Sequence, residues 1–325
     1  MRVVSLLPSA TEILCLIGGR HMLVGRSHEC NHPAALADLP ALTSQRTSPD
    51  ATPVQIDREV SSALAAGESL YRLDTPRLHD LRTDLILTQD LCDVCSIDLA
   101  AVRAAAARMN PAPRVLSLNP HSFEDVLDDV MRIGEAVGLA GAARDALVGL
   151  RERFFRAADH VNAFAQRPTL LFLEWCDPPF VGGHWIPQLV ERAGALHPLN
   201  PTVAMDGAGA GAGGQMAHRL AGKSLRVPPE MIERLRPDLV VVCPCGVGLG
   251  EVRRHLASVE RADWWRSTPA VREGRVALVD GNHMFSRPGP RLVDAYEWLV
   301  AWINDVPGLI PEGFPWEPWD PNVSQ

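Results

Sequence analysis

The sequence predicts an α/β fold: two Rossmann-like lobes on parallel β-sheets, joined by one long backbone helix, with a ligand cleft between the lobes. Three observations predict it. Short apolar runs rich in Val, Leu and Ile recur at residues 2–7, 23–25, 85–88, 115–118, 169–173, 239–243 and 276–279. Runs of this kind, bounded by turn residues, fit strands buried on both faces, as in parallel sheets. Segments with helical spacing of apolar residues lie between them, at 10–17, 55–66, 99–109, 122–137 and 187–193, and strand–helix alternation is the signature of α/β architecture. The third observation is the stretch 139–164, which has no proline and no breaker after Gly141. A helix over 142–164 would be about 35 Å long at ~1.5 Å per residue. The expected division is 1–138 for the first lobe, 139–165 for the connecting helix and 166–325 for the second lobe.

Each strand hands over to a loop, and in open α/β sheets ligands bind beyond the carboxyl ends of the strands. The first run stops at Pro8, and "PSATE" reads as a helix start with Ser9 as its cap and Glu12 three residues on. The second leads into "RSHECNHP" from Arg26, which carries His28 and Cys30. The third leads into "QDLCDVCS" from Gln89, with Cys92 and Cys95, and the fourth into "NPHSFED" from Asn119. In the second half, "EWCDPPFVGGHWIPQ" from Glu174 brings Trp175, Phe180, Gly183, His184 and Trp185. Gly182 and Gly183 permit close backbone approach, Pro187 sits just inside a helix start, and Trp185 is expected to project from that turn into the cleft. Cys243 ends its strand and "PCGVG" follows with Cys245. The last run leads into "DGNHMFSRPGPR" from Asp280, with His283, Arg287 and Arg291. The two arginines can serve a ligand's carboxylate or phosphate, or pair with Asp294 and Glu297. The Gly/Ala tract within 204–224 has no phosphate-loop spacing and reads as a surface loop, and the Pro- and Trp-rich end reads as an extended tail packed on the body.

Composition narrows the function. A formal net charge of −8 and a pI near 5.8 argue against a general nucleic-acid binder. No apolar stretch approaches a membrane span, and Pro8 and Glu12 interrupt the N-terminal run, so no secretory signal is read there. The expected location is cytoplasmic, where the 7 cysteines would be reduced and would lean toward metal or redox chemistry. If the lobes face each other, Cys30, Cys92, Cys95, Cys243 and Cys245 arrive at one place, and thiolate sets of that kind hold zinc or an iron–sulfur cluster. No Gly-x-Ser-x-Gly elbow, Walker loop or Gly-x-Gly-x-x-Gly after the first strand is present, so an enzyme is not indicated.

The stretches "VVSLLPSATEILCLIG", "LVGRSHECNHP", "DLILTQDLCDVC", "VLSLNPHSFEDVLDD", "LEWCDPPFVGGHWIPQLVERAG", "RPDLVVVCPCG" and "STPAVREGRVALVDGNHMFSRPGPRLVD" together span nearly the whole chain. They resemble the class III substrate-binding proteins, those with a long backbone helix, which capture cobalamin, haem or ferric siderophores for ABC transporters. The specific resemblance is to a signal-less branch labelled cobalamin-binding. It implies a binding protein for a corrinoid or related small-molecule metal chelate. Ser9, His28, Trp175, Phe180, Gly183, His184, Trp185, His283 and Arg287 are the candidate contacts, Trp185 facing aromatic partners across a flat macrocycle. The missing export signal argues against an ABC permease as partner. The alternative on the same fold is a Cys-ligated iron–sulfur or zinc protein with an enzymatic or sensor role.

Overall fold

The computed structural model describes residues 1–46, 51–66, 69–90, 97–205 and 218–320. Two compact units emerge, one of Met1–Pro120 with Glu124–Leu150, the other of His121–Phe123 with Arg151–Gln325.

In the first unit the order is β1 (Val3–Ser5), α1 (Pro8–Leu16), β2 (Leu23–Arg26), β3 (Thr43–Gln45), α2 (Pro53–Ala65) and β4 (Tyr71–Leu73). It continues with α3 (Thr75–Asp80), β5 (Leu85–Gln89), α4 (Leu99–Ala107), β6 (Arg114–Leu118) and α5 (Phe123–Val137). Its four-stranded sheet runs β2-β1-β5-β6 and every pairing is parallel. All five residues of β5 are buried, the mark of a strand covered on both faces. Val4, Ile86, Ile97, Val102 and Leu78 form its apolar core. The antiparallel pair β3–β4 was not legible as strands: three residues of mixed polarity give no period.

Helix α1 begins two residues earlier than the sequence suggested, and Ser9 is not its cap. Leu7 is the N-cap residue, without a side-chain cap bond, and Pro8 occupies the first turn. Proline's fixed φ suits that position, and its missing N–H costs nothing there. Ser9 is thereby drawn inside the helix and buried.

Helix α6 (Ala140–Ala158) falls short of the expected end at 164. Its last turn tightens: the His160 and Val161 N–H groups donate to Ala157 O and Ala158 O. Asn162 then accepts the Phe164 N–H on its side-chain oxygen at 3.0 Å, offering the backbone a turn in place of another helical one.

Inside α5, Asp129 is buried, with its carboxylate 2.7 Å from Arg132 Nη1, while Arg132 Nη2 donates to Ser117 O at the end of β6. Burial raises the Asp129 pKa to about 6, against the opposing pull of Arg132 and with Asp125 and Asp128 adding to the rise. A carboxyl raised above its unfolded value favours folding most when protonated. Its contribution is therefore complete below pH ~4 and is lost as pH rises through about 6. Asp129→Asn should remove this dependence: more stable than the parent at pH 7.5 by on the order of 1–3 kcal/mol, level with it at pH 4. Melting curves of both proteins across that range check the sign; a gap that widens toward acid would refute it.

The second unit contains β7 (Leu170–Trp175), β8 (Phe180–Val181), α7 (Ile186–Arg192), β9 (Val203–Ala204), β10 (Arg219–Leu220), β11 (Leu225–Arg226) and α8 (Pro229–Leu235). Then follow β12 (Leu239–Val242), α9 (Leu249–Ala257), α10 (Asp263–Ser267), α11 (Pro269–Arg272), β13 (Val276–Val279), α12 (Leu292–Ile303) and β14 (Trp316–Pro318). The sheet order is β11-β8-β7-β12-β13-β14. Its centre, β7-β12-β13, is parallel, and β8, β11 and β14 add antiparallel flanks. The Pro-rich tail is therefore the edge strand β14, a place that tolerates a proline. Residues 206–217 of the Gly/Ala tract lie outside the described residues; those flanking it pair as β9 and β10.

Candidate functional site

In the second unit the carboxyl ends of the three central strands are tied to one another by their own backbones. After β12 the Cys243 and Cys245 N–H groups donate to Leu173 O and Glu174 O of β7, and Gly246 N–H donates to Gly281 O beyond β13. Gly281 and Asn282 return N–H bonds to Val247 O. Asp280 organises this rim from the end of β13. Its Oδ2 accepts the Leu249 N–H at 3.3 Å, serving the start of α9 where the N-cap residue is Gly248 and has no side chain to offer. Its Oδ1 accepts the His283 N–H at 2.7 Å, and the His283 ring Nδ1 lies 3.3 Å away. Burial alone would raise the Asp280 pKa, but the bonds from His283 and Leu249 outweigh it and hold the carboxyl below its ordinary value. Arg287, itself buried, donates to Asn282 Oδ1 at 2.7 Å.

The aromatic residues separate into two kinds. Trp175 and Phe180 face each other across the β7–β8 pair, so their side chains share one face of the sheet. Both are half-buried. The Trp175 Nε1–H donates to Asp177 O at 3.2 Å, and its ring meets His255 edge to face at 5.1 Å. His255, half-buried on α9, has its pKa lowered chiefly by that burial. Trp185 does not project as expected. It is 6 % exposed, and its Nε1–H donates to Phe285 O at 2.6 Å. As the residue preceding α7 it turns inward because Pro187 and Ile186 fix the helix start and bury that face. His184 precedes it, half-buried, its ring 5.6 Å from that of Trp185. Gly183 is required by the chain itself: a Cβ there would stand 2.2 Å from Ser224 N and 2.4 Å from Lys223 C.

In the first unit His28 lies 2.7 Å by its Nδ1 from Thr43 Oγ1 and 3.2 Å by its Nε2 from Glu29. Of the five thiols expected to converge, Cys30 belongs to the first unit and Cys243 and Cys245 to the second. Cys30 is buried, its Sγ taking a 3.1 Å contact from Thr11 Oγ1 and lying 3.8 Å from Ser5 O. Cys243 is buried and Cys245 exposed, while Cys92 and Cys95 lie outside the described residues. Burial pushes the Cys243 thiol well above its ordinary value, with the charges of Glu174, Cys245 and Asp280 adding to the rise. That direction opposes the thiolate a metal needs. Burial likewise pushes Cys176 up to about 12. Among the described residues, no group of three or more His, Cys, Asp or Glu side chains could hold a metal ion, and the metalloprotein alternative is not favoured. Asp294 and Glu297 hold Arg153 of α6, each at 2.5 Å.

Asp280, Asn200 and His255 went unremarked in the sequence. Asp280 sits in the quoted motif beside His283, but its second partner, Leu249, is 31 positions away. Nothing local signals that Asn200 ties two segments together.

The family model described as "Periplasmic binding protein" matches residues 3–282. A periplasmic haem-binding protein from Pseudomonas aeruginosa aligns at 20% identity, covering 94% of this chain and 93% of that one, with a TM-score of 0.68. The periplasmic vitamin B12-binding protein BtuF of Vibrio cholerae aligns at 16% identity, over 94% and 96% of the two chains, with a TM-score of 0.64. An ABC transporter substrate-binding protein from Listeria monocytogenes EGD-e aligns at 16% identity, over 94% and 98%, with a TM-score of 0.62. No curated protein matches the sequence. At these identities the three structures establish a shared α/β fold. Among the described residues no helix is long and apolar enough to cross a membrane. The cytoplasmic location expected from the sequence is overturned, because the matching family and the haem- and B12-binding structures are periplasmic. Doubt about a transporter partner rested on the missing export signal, whereas the Listeria structure with this fold is an ABC transporter substrate-binding protein. Matched over most of its length, the chain belongs to the periplasmic binding protein family.

Proposed function

We propose that this chain binds a flat metal chelate, a corrinoid of the cobalamin kind or a related macrocycle, and delivers it to an ABC transporter. The observation that carries the reading is the cross-strand pair Trp175 and Phe180, half-buried on one face at the carboxyl end of β7. A large planar ligand gains most from such rings, which bury much area at little entropic cost. Similar structures that bind haem or vitamin B12 support the ligand class, and the Listeria structure supports the transporter. His28, His184 and His283 supply polar contacts or an axial nitrogen. Gly183, Ser9, Arg287 and Trp185 position the loops from behind.

Titration of the purified protein with hydroxocobalamin and with haemin, followed by absorbance and calorimetry, tests this. One of them should bind with a dissociation constant of about 1 µM or below. Trp175→Ala should weaken that binding by roughly 10-fold or more, from lost area and ring contact. If neither macrocycle binds at about 50 µM, a free-energy gain under ~6 kcal/mol, the reading is wrong.

A further inference from the structure

We infer that His121, His184 and Lys223 form a basic cradle for an anionic oxygen group, a carboxylate or a phosphate, carried by the ligand. Three segments distant in sequence are fixed together to make it. The Gln188 carboxamide, 1 % exposed in α7, accepts the Phe123 N–H at 2.9 Å and donates to Arg219 O at 3.3 Å. This holds residues 121–123 against α7. The buried Asn200 amide donates to Gly182 O and to Lys223 O, both at 3.0 Å. The His184 N–H donates to Gly222 O at 2.8 Å. Residues 182–184 and 222–224 are thus clamped side by side, so closely that only glycine fits at 183.

Each segment contributes one basic group. His121 and Lys223 are exposed, His184 is half-buried, and Lys223 is the only lysine of the chain. His184 adopts φ +55°, a left-handed conformation uncommon for a residue other than glycine, and such departures persist where surrounding bonds enforce them. Burial lowers the His184 pKa first, and the charges of His121 and Lys223 lower it further. Groups that repel one another in this way are what an anion reconciles, since it attracts all three. The Glu174 carboxylate at the end of β7 accepts the Ser224 hydroxyl.

The inference rests on the ligand-binding reading only in taking this edge to meet the ligand; its ion chemistry stands apart. Two matched pairs of probes separate the sources of the anion. Haemin carries free carboxylates and its dimethyl ester does not, while cobalamin carries a phosphodiester and cobinamide does not. In the macrocycle class that binds, the anionic member should bind about 10-fold tighter, ~1.4 kcal/mol. Lys223→Gln and Lys223→Ala should each remove most of that advantage while leaving the neutral member's affinity within about 2-fold, a difference of ~0.4 kcal/mol. Equal affinities within each pair, or variants that weaken both members alike, overturn the cradle and leave the ligand reading standing. If no macrocycle binds, ring-proton NMR of His184 in inorganic phosphate decides. A His184 pKa that rises with phosphate, and does not in Lys223→Gln, supports the cradle although the ligand reading has failed. No change up to about 50 mM, a gain below ~2 kcal/mol, overturns it.

Discussion

Gly281→Ala is expected to destabilise the second unit by about 4 kcal/mol, enough to lower its melting temperature by roughly 10 °C. A Cβ at 281 would lie 1.9 Å from Pro244 O and 2.6 Å from Pro244 C. Those atoms are backbone, so no rotamer change relieves the contact, and one of the two loops must move by more than 1 Å to reach ordinary van der Waals distance, ~3.4 Å. The movement breaks bonds that define the rim: Gly246 N–H to Gly281 O, and the Gly281 and Asn282 N–H groups to Val247 O. At about 1 kcal/mol for each bond, more where a buried group is left unpaired, the sum reaches the stated size. Gly250→Ala is the control. Gly250 lies in the first turn of α9 with nothing within 4 Å of its Cβ position, and alanine there should stabilise by about 0.5–1 kcal/mol through helix propensity and a stiffer unfolded chain. Calorimetry of the two variants should move them in opposite directions. Equal or same-signed shifts would refute the close approach at 281.

What the sequence disclosed follows from where the burial lies. β12 and β13 are buried at every residue, and such strands leave continuous apolar runs that need no knowledge of their neighbours. All seven runs correspond to strands, with ends shifted by a residue or two. The flanking strands β8, β11 and β14 have two or three residues each, and a period of two cannot show in so short a span. β8 and β14 exist because β7 and β13 offer unpaired backbone, and β11 because β8 does so in turn, which is a tertiary fact. The site shows the same division. The loops after β7, β12 and β13 were found because chain order and parallel topology suffice to place them. Orientation was not found: Trp185 reads as a ligand-facing ring by its position before a helix, yet the acceptor that draws its Nε1–H inward, Phe285 O, is 100 positions away. The alignment of Lys223 beside His184 is of the same kind, since it depends on the two bonds donated by Asn200.

Trp298→Ala should cost about 4 kcal/mol, the range for emptying a fully buried aromatic site, and should disturb the rim as well as the core. Trp298 of α12 is 0 % exposed. Its ring stacks on Phe314 at 5.3 Å and on Trp302 at 5.6 Å, and meets Trp316 at 5.5 Å and Phe285 at 6.1 Å. Two of these partners, Phe314 and Trp316, belong to the C-terminal segment that supplies β14. The same segment is secured further on by the Trp319 Nε1–H, which donates to Glu260 at 3.0 Å. The partner Phe285 lies in the loop after β13 and gives its carbonyl to Trp185. Removing the indole therefore unseats the tail on one side and slackens the hold on Trp185 on the other. Trp298→Phe separates area from hydrogen bonding. The Trp298 Nε1 has no hydrogen-bond partner among the described residues, so phenylalanine forfeits only volume and should cost about 1–2 kcal/mol. The alanine variant should also be cut faster by protease within residues 306–318 and should bind the macrocycle identified by titration more weakly, while the phenylalanine variant stays near the parent in both. A phenylalanine variant as unstable as the alanine one would show that the ring nitrogen, not the stacked face, holds this region together.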